Sequence, residues 1–256
     1  MTILQVCLLF VAAILGGTLN SVAGGGSFIT FPALIFTGVA PITANATSTV
    51  ALWPGSVASI AAYRKELAAQ NRRLLLILTG ASVVGGVLGA VLLLHTPQTT
   101  FVHLIPYLLL LATLLFTFSG PITTWLRKYT MPKDKLSWLS LGGLAFFQLL
   151  IAVYGGYFGG GIGILMLATL GLMGMENIHE MNAMKTLLQA AINGVAVITF
   201  IIAGAVVWPQ AILMLVGAIV GGFGGAYYAR RIEQRWVRLF VTLVGSSMTI
   251  YFFLHG

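Results

Sequence analysis

Polar residues interrupt this chain only at long intervals, and the intervals set its elements. Apolar runs cover roughly residues 3–22, 27–38, 43–63, 72–94 and 101–118, then 137–155, 162–174, 183–206, 210–229 and 237–254. Most approach the ~20 residues a helix needs to cross a hydrocarbon core. A transmembrane barrel would instead alternate every second residue. The second run of each set is short for a full crossing and follows a glycine cluster, so it fits a half-helix folded back on the run before it. The pattern predicts an all-α polytopic membrane protein with five hydrophobic segments in each half and glycine-broken helices.

The two sets repeat one another. "SVAGGGSFITFPALIF" (21–36) matches "GYFGGGIGILMLATLG" (156–171), with Gly24 on Gly159. "ANATST" (44–49) matches "MNAMKT" (181–186), with Asn45 on Asn182. "GASVVGGVLGA" (80–90) matches "GAIVGGFGGA" (217–226), closing with Ala90 on Ala226. The offsets, 135 to 137 residues, are nearly constant. The expected organisation is a first repeat over 1–125, a basic linker over 126–136 and a second repeat over 137–256, forming one membrane domain.

Composition agrees and charge adds topology. The chain is 59% hydrophobic and 7% charged, with a mean hydropathy of +1.01, against roughly 25% charged residues in a soluble domain. The net charge of +8 is no nucleic-acid footprint. Twelve of the 13 Lys and Arg fall in three clusters: Arg64, Lys65, Arg72, Arg73; Arg127, Lys128, Lys133, Lys135; and Arg230, Arg231, Arg235, Arg238. Beside apolar segments, such clusters mark cytoplasmic loops. In the first half the basic loop joins segments three and four; in the second it joins four and five. Equivalent loops then lie on opposite sides, so the halves are inverted-topology repeats and both termini are extracytoplasmic. The start "MTILQV" lacks the positive region of a signal peptide, and the repeat uses this segment as its first membrane helix. The single cysteine, Cys7, excludes a disulfide within the chain.

Inverted repeats with matched glycine breaks are the architecture of many secondary transporters, with substrate bound near midplane between the halves. A helix restarting after a break offers free N–H groups and a positive dipole end to an anion. Gly25 and Gly26, with Ser27 as a cap, and Gly160 and Gly161 are therefore candidate binding residues. So are Asn45, Thr47, Ser48 and Thr49. In the second half Lys185 replaces the hydroxyl of Ser48. Asn182, Lys185, Gln189 and Asn193 are spaced 3, 4 and 4 along one helical face, with Thr186 beside them. An ionisable residue inside a membrane segment usually lines a cavity or pathway. Lys185 could instead snorkel to the interface or pair with Glu176 or Glu180. Glu176, His179 and Glu180 form a cluster at the expected cytoplasmic mouth and join Lys185 as proton-coupling candidates; acids at a helix start also serve electrostatics alone. His95 and His103 make a weak metal pair. No G-x-S-x-G, H-E-x-x-H or Walker pattern occurs, so neither an enzyme nor a nucleotide-driven pump is expected. No cofactor or metal is expected.

With "AGGGSFITFPAL" and "ANATST" in one half, and "GGYFGGGIGILM", "NAMKT" and "AAING" in the other, the chain resembles the TauE/SafE family of membrane permeases over nearly its whole length. The resemblance implies transport of sulfur-containing anions, sulfite or sulfonates such as sulfoacetate. The expected protein is an inner-membrane, multi-pass, secondary-active permease whose partners are a small anion, the bilayer and co-transported protons. The alternatives are a permease for another anion or a metal cation, or a non-transporting membrane scaffold.

Overall fold

A computed structural model of the chain describes residues 1–23, 25–118, 138–172, 175, 177–228 and 234–255. These residues form eleven α-helices and no strands. They are α1 (Ile3–Ala23), α2 (Ser27–Phe36), α3 (Pro41–Ala62), α4 (Arg64–Ala68), α5 (Arg72–His95), α6 (Gln98–Thr117), α7 (Trp138–Tyr157), α8 (Ile162–Leu172), α9 (Ile178–Ile202), α10 (Trp208–Tyr228) and α11 (Gln234–His255). Each expected hydrophobic segment has its helix. The differences are small. A short α4 carries the first basic loop, and α9 begins five residues earlier than the apolar run, where Asn177 accepts a capping bond from the His179 N–H at 2.9 Å. Polarity hid that first turn, because a cap and its acid are polar by function. The linker 126–136 and the cations Arg127, Lys128, Lys133, Lys135, Arg230 and Arg231 lie outside the described residues.

Among the described residues four helices are long and apolar enough to cross a membrane: α1, α5, α6 and α9. Shorter apolar stretches lie in α2, α7, α8, α10 and α11. The outward faces carry exposed Leu76, Leu88 and Leu92 on α5, Phe146 and Phe147 on α7, and Ile212, Val220 and Phe223 on α10. Such a continuous apolar exterior suits lipid, not water.

Packing crosses between the halves. The most extensive pairings are α5 with α7 and α1 with α10, so the first hydrophobic segment of each half lies along the fourth segment of the other. Glycine permits both approaches. A Cβ on Gly89 would run into the Val153 carbonyl of α7, and one on Gly221 into the Ile14 carbonyl of α1. Small residues serve this purpose in membranes because backbones can then touch and gain dispersion contact. Exchanging the halves maps these two pairings onto each other.

α3 and α9 pack together at the centre. The Trp53 indole donates to the Ala190 carbonyl at 3.0 Å. Gln70, past the end of α3, donates to Glu180 at the start of α9 at 3.1 Å. Thr47, near the start of α3, accepts from the Val207 N–H beyond the end of α9 at 3.1 Å. The two helices therefore run antiparallel.

Candidate functional site

Seven residues into α9, about 10 Å along its axis, stands Lys185. It is only 6% exposed. Among the described residues its ammonium has neither an ion-pair nor a hydrogen-bond partner. It lines a cavity of about 50 Å³ together with Asn182, Thr186 and Gln189 of α9, Asn20 of α1, Ser56 and Ser59 of α3, and Tyr63 just past the end of α3. That space suffices for a few waters or a small oxyanion, since one water needs ~10–15 Å³ by the same measure. Among the described residues every lining side chain is polar, and none is a carboxylate.

The wall is partly tied together. Gln189 Nε2 donates to Asn20 Oδ1 at 3.5 Å, and Asn20 Nδ2 donates to Ser56 Oγ at 3.0 Å. Ser59 donates to the Gly55 carbonyl of its own helix at 2.9 Å. Among the described residues none of these bonds reaches the lysine. Burying an unpaired charge is costly, and an anion in the cavity offsets that cost directly.

Four of the expected residues thus come together at one place: Asn182, Lys185, Thr186 and Gln189. Asn193, half-buried on the same helix, is not among the lining residues. The equivalent stretch of α3 faces other partners. Asn45 Nδ2 donates to the Tyr157 carbonyl at the end of α7, 3.0 Å away. Thr47 holds the Val207 N–H. Ser48 shares a 2.6 Å bond with Thr30, whose hydroxyl also contacts the Gly26 carbonyl at 3.1 Å. Thr49 donates to the Asn45 carbonyl at 2.9 Å. Each bond ties α3 to a glycine break, to an incoming helix or to itself.

The described glycines of the breaks are not among the lining residues, although Gly26 packs on Asn20, which is. Gly159 and Gly161 adopt φ of +80° and +73°, the left-handed region that favours glycine. The Tyr154 hydroxyl donates to the Gly160 carbonyl at 2.7 Å. Gly25 and Gly161 both pack on α6, against Phe116 and Ala112. Around them gather Phe28, Phe31, Phe101, Phe116, Phe158 and Phe252 in edge and stacked contacts. Ser27 is the first residue of α2 and not its cap: Gly26 holds the cap position, with no side-chain bond. A helical backbone at Gly26 puts Ser27 inside the helix, past the point from which a hydroxyl caps.

At the mouth, Glu180 accepts from Gln70 at 3.1 Å and from Asn177 Nδ2 at 3.3 Å. His179 is exposed, and Glu176 lies outside the described residues. His95 and His103 contact the carbonyls of Val91 and Thr99 on their own helices.

Asn20, Ser56, Ser59 and Tyr63 escaped the sequence reading. A signal existed for the last three: positions 56, 59 and 63 share a helical face, as 182, 186 and 189 do. Asn20 lies between Thr18 and Ser21 at the end of a mostly apolar helix, four residues before the first break.

The sequence was compared with known proteins. The family model "Sulfite exporter TauE/SafE" matches residues 9–252. A "Probable membrane transporter protein" of Haemophilus influenzae is 27% identical over 243 residues, covering 94% of this chain and 92% of its own. "Probable membrane transporter protein YfcA" of Escherichia coli strain K12 is 29% identical over 247 residues, covering 94% and 87%. "Probable membrane transporter protein ORF9" of a Sinorhizobium species is 28% identical over 243 residues, covering 94% and 90%. No solved structure matches significantly. A helical, lipid-faced molecule with a polar interior cavity and relatives of this kind is a multi-pass membrane transporter and not an enzyme, and the chain belongs to the sulfite exporter TauE/SafE family.

Proposed function

We propose that this transporter is a secondary-active permease for a small sulfur-containing anion, sulfite or an organosulfonate such as sulfoacetate. One observation carries the reading: among the described residues the Lys185 cavity is lined by polar groups, with a single ammonium and no carboxylate. The ammonium supplies charge, and the amides of Asn20, Asn182 and Gln189 with the hydroxyls of Ser56, Ser59, Tyr63 and Thr186 supply directed donors. A trigonal or tetrahedral oxyanion uses both. The family description points to sulfur oxyanions among the anions that such a lining would accept.

Alternating access follows from two inverted repeats rocking around this site. The antiparallel course of α3 and α9 and the exchange-related pairing of α1 with α10 and α5 with α7 support that arrangement. Basic loops on the cytoplasmic side put both termini outside. Asn45, Thr47, Ser48, Thr49 and the glycines 25, 26, 160 and 161 act as its frame, holding the breaks while the cavity changes access. Protons moving with the anion exchange at Lys185, or at Glu180 and His179 at the mouth.

The test is uptake of radiolabelled sulfite and sulfoacetate into vesicles holding the purified protein, with a pH-sensitive dye inside. The intact protein moves at least one of the two anions, and the Lys185→Gln variant, equally abundant and monodisperse, does not. Equal uptake by both proteins of every anion offered removes Lys185 from the mechanism. A dye signal that is flat during uptake removes the proton.

A further inference from the structure

The cavity ends abruptly along both of its long helices. On α3 and just past its end every lining residue, Ser56, Ser59 and Tyr63, lies after Trp53. On α9 every one, from Asn182 to Gln189, lies before Ala190. Trp53 and Ala190 are the pair joined by the indole–carbonyl bond of 3.0 Å. They are also equivalent positions of the two repeats, at the 137-residue offset that relates Asn45 to Asn182. The bond therefore sits where exchange of the halves leaves the α3–α9 contact in place.

The two sides of this point differ. Toward the basic loop at 64–73 lies the polar cavity. On the other side the same exchange replaces Gln189 by Leu52, Ser59 by Ala196 and Tyr63 by Phe200, which are buried, while Asn45, Ser48, Thr49 and Asn193 at the remaining α3 and α9 positions stay polar. The indole reaches across to α9 over Gly194: a Cβ there would lie 3.1 Å from the indole Nε1 and 3.3 Å from Cζ2. Any side chain at 194 would press on the ring, so glycine gives the closest fit. Pro54 and Gly55 follow directly, where the missing proline N–H loosens α3.

We propose that Trp53 is the barrier residue of the transport route: its indole, seated on Gly194 and pinned to the Ala190 carbonyl, seals the Lys185 cavity from the face opposite the 64–73 loop. This rests on the reading of that cavity as the substrate site. Passage to the far face requires the indole to leave the Ala190 carbonyl. The bulk of the ring makes the seal, and the N–H sets where it rests.

The seal is tested without any substrate. Cys7→Ser removes the natural thiol, and Ser59→Cys places one in the cavity wall. A membrane-impermeant maleimide is applied separately to each face, using cells and inside-out vesicles. The expected result is labelling from the 64–73 face alone. Adding Trp53→Ala brings labelling from the far face as well, while Trp53→Phe keeps it small. Trp53→Val, which also removes the ring, gives the same leak and serves if Trp53→Ala fails to reach the membrane. Labelling of Ser59→Cys from both faces before Trp53 is changed overturns the proposal. So does one-sided labelling that persists in both barrier variants. An expected labelling pattern in a protein that moves no sulfur anion would defeat the substrate reading and leave the barrier standing.

Discussion

The segments 45–49 and 182–186 start from one pattern and end in different states. Each opens the third long helix of its half with Asn-Ala and closes with threonine. In α3 the polar side chains are spent inside the protein: Asn45 on the Tyr157 carbonyl, Thr47 on the Val207 amide, Ser48 on Thr30. In α9 Asn182, Lys185 and Thr186 face a cavity. A hydroxyl at position 48 is small enough to be satisfied by one neighbouring hydroxyl. A lysine at the matching place cannot be, because an ammonium has three donors and a charge to compensate. On the proposed reading, the two segments are similar frames, and a lysine in place of a hydroxyl makes one of them a site.

The comparison breaks most severely if the frame is given the site's residue. Ser48→Lys puts a charge where the side chain is 1% exposed and bonded to Thr30. Loss of several kcal/mol is expected, and size-exclusion profiles in detergent will show little or no folded protein. Next comes Lys185→Gln. Removing one partner of a buried charge pair costs roughly 2–5 kcal/mol, so anion affinity falls roughly 30-fold or more, while melting without anion is unchanged or improved. Asn45→Ala reverses that split. Its amide satisfies a buried carbonyl, so the loss is about 1–3 kcal/mol of stability, read as a lower melting temperature, with anion affinity kept in the protein that folds. The smallest effect is expected from Gln189→Ala, which removes one neutral donor and its 3.5 Å bond to Asn20. A typical hydrogen bond is worth about 0.5–1.5 kcal/mol, so binding measured by calorimetry weakens by a few-fold to about tenfold.

The frame was more legible than the site. Helix order followed from apolar runs because lipid-facing helices have no other way to be written. The glycine breaks were visible, and φ of +80° and +73° at Gly159 and Gly161 explains why they are glycine. Their meaning was harder to read. Free helix ends beside glycines suggested an anion site, yet an aromatic cluster surrounds them, and Ser27 is not a cap. Which residues share a helical face could be counted. Which faces meet could not, because that depends on the antiparallel crossing of α3 and α9. Asn182, Lys185, Thr186 and Gln189 were therefore found together, whereas Ser56, Ser59 and Tyr63 across from them were not. Asn20 reaches the cavity from a third helix and left only its own polarity as a trace.

The central claim is that an anion binds at Lys185. It is tested most directly by thermal unfolding of the purified protein and of Lys185→Gln in detergent, with sulfite, sulfate, sulfoacetate, sulfolactate and taurine in turn. A ligand that binds only the folded state raises its stability by about 2.7 kcal/mol at 100 times its dissociation constant. The account predicts a clear upward shift with sulfite or a sulfonate for the intact protein and none for the variant. Equal shifts in both proteins, or no shift with any of the anions, would contradict it.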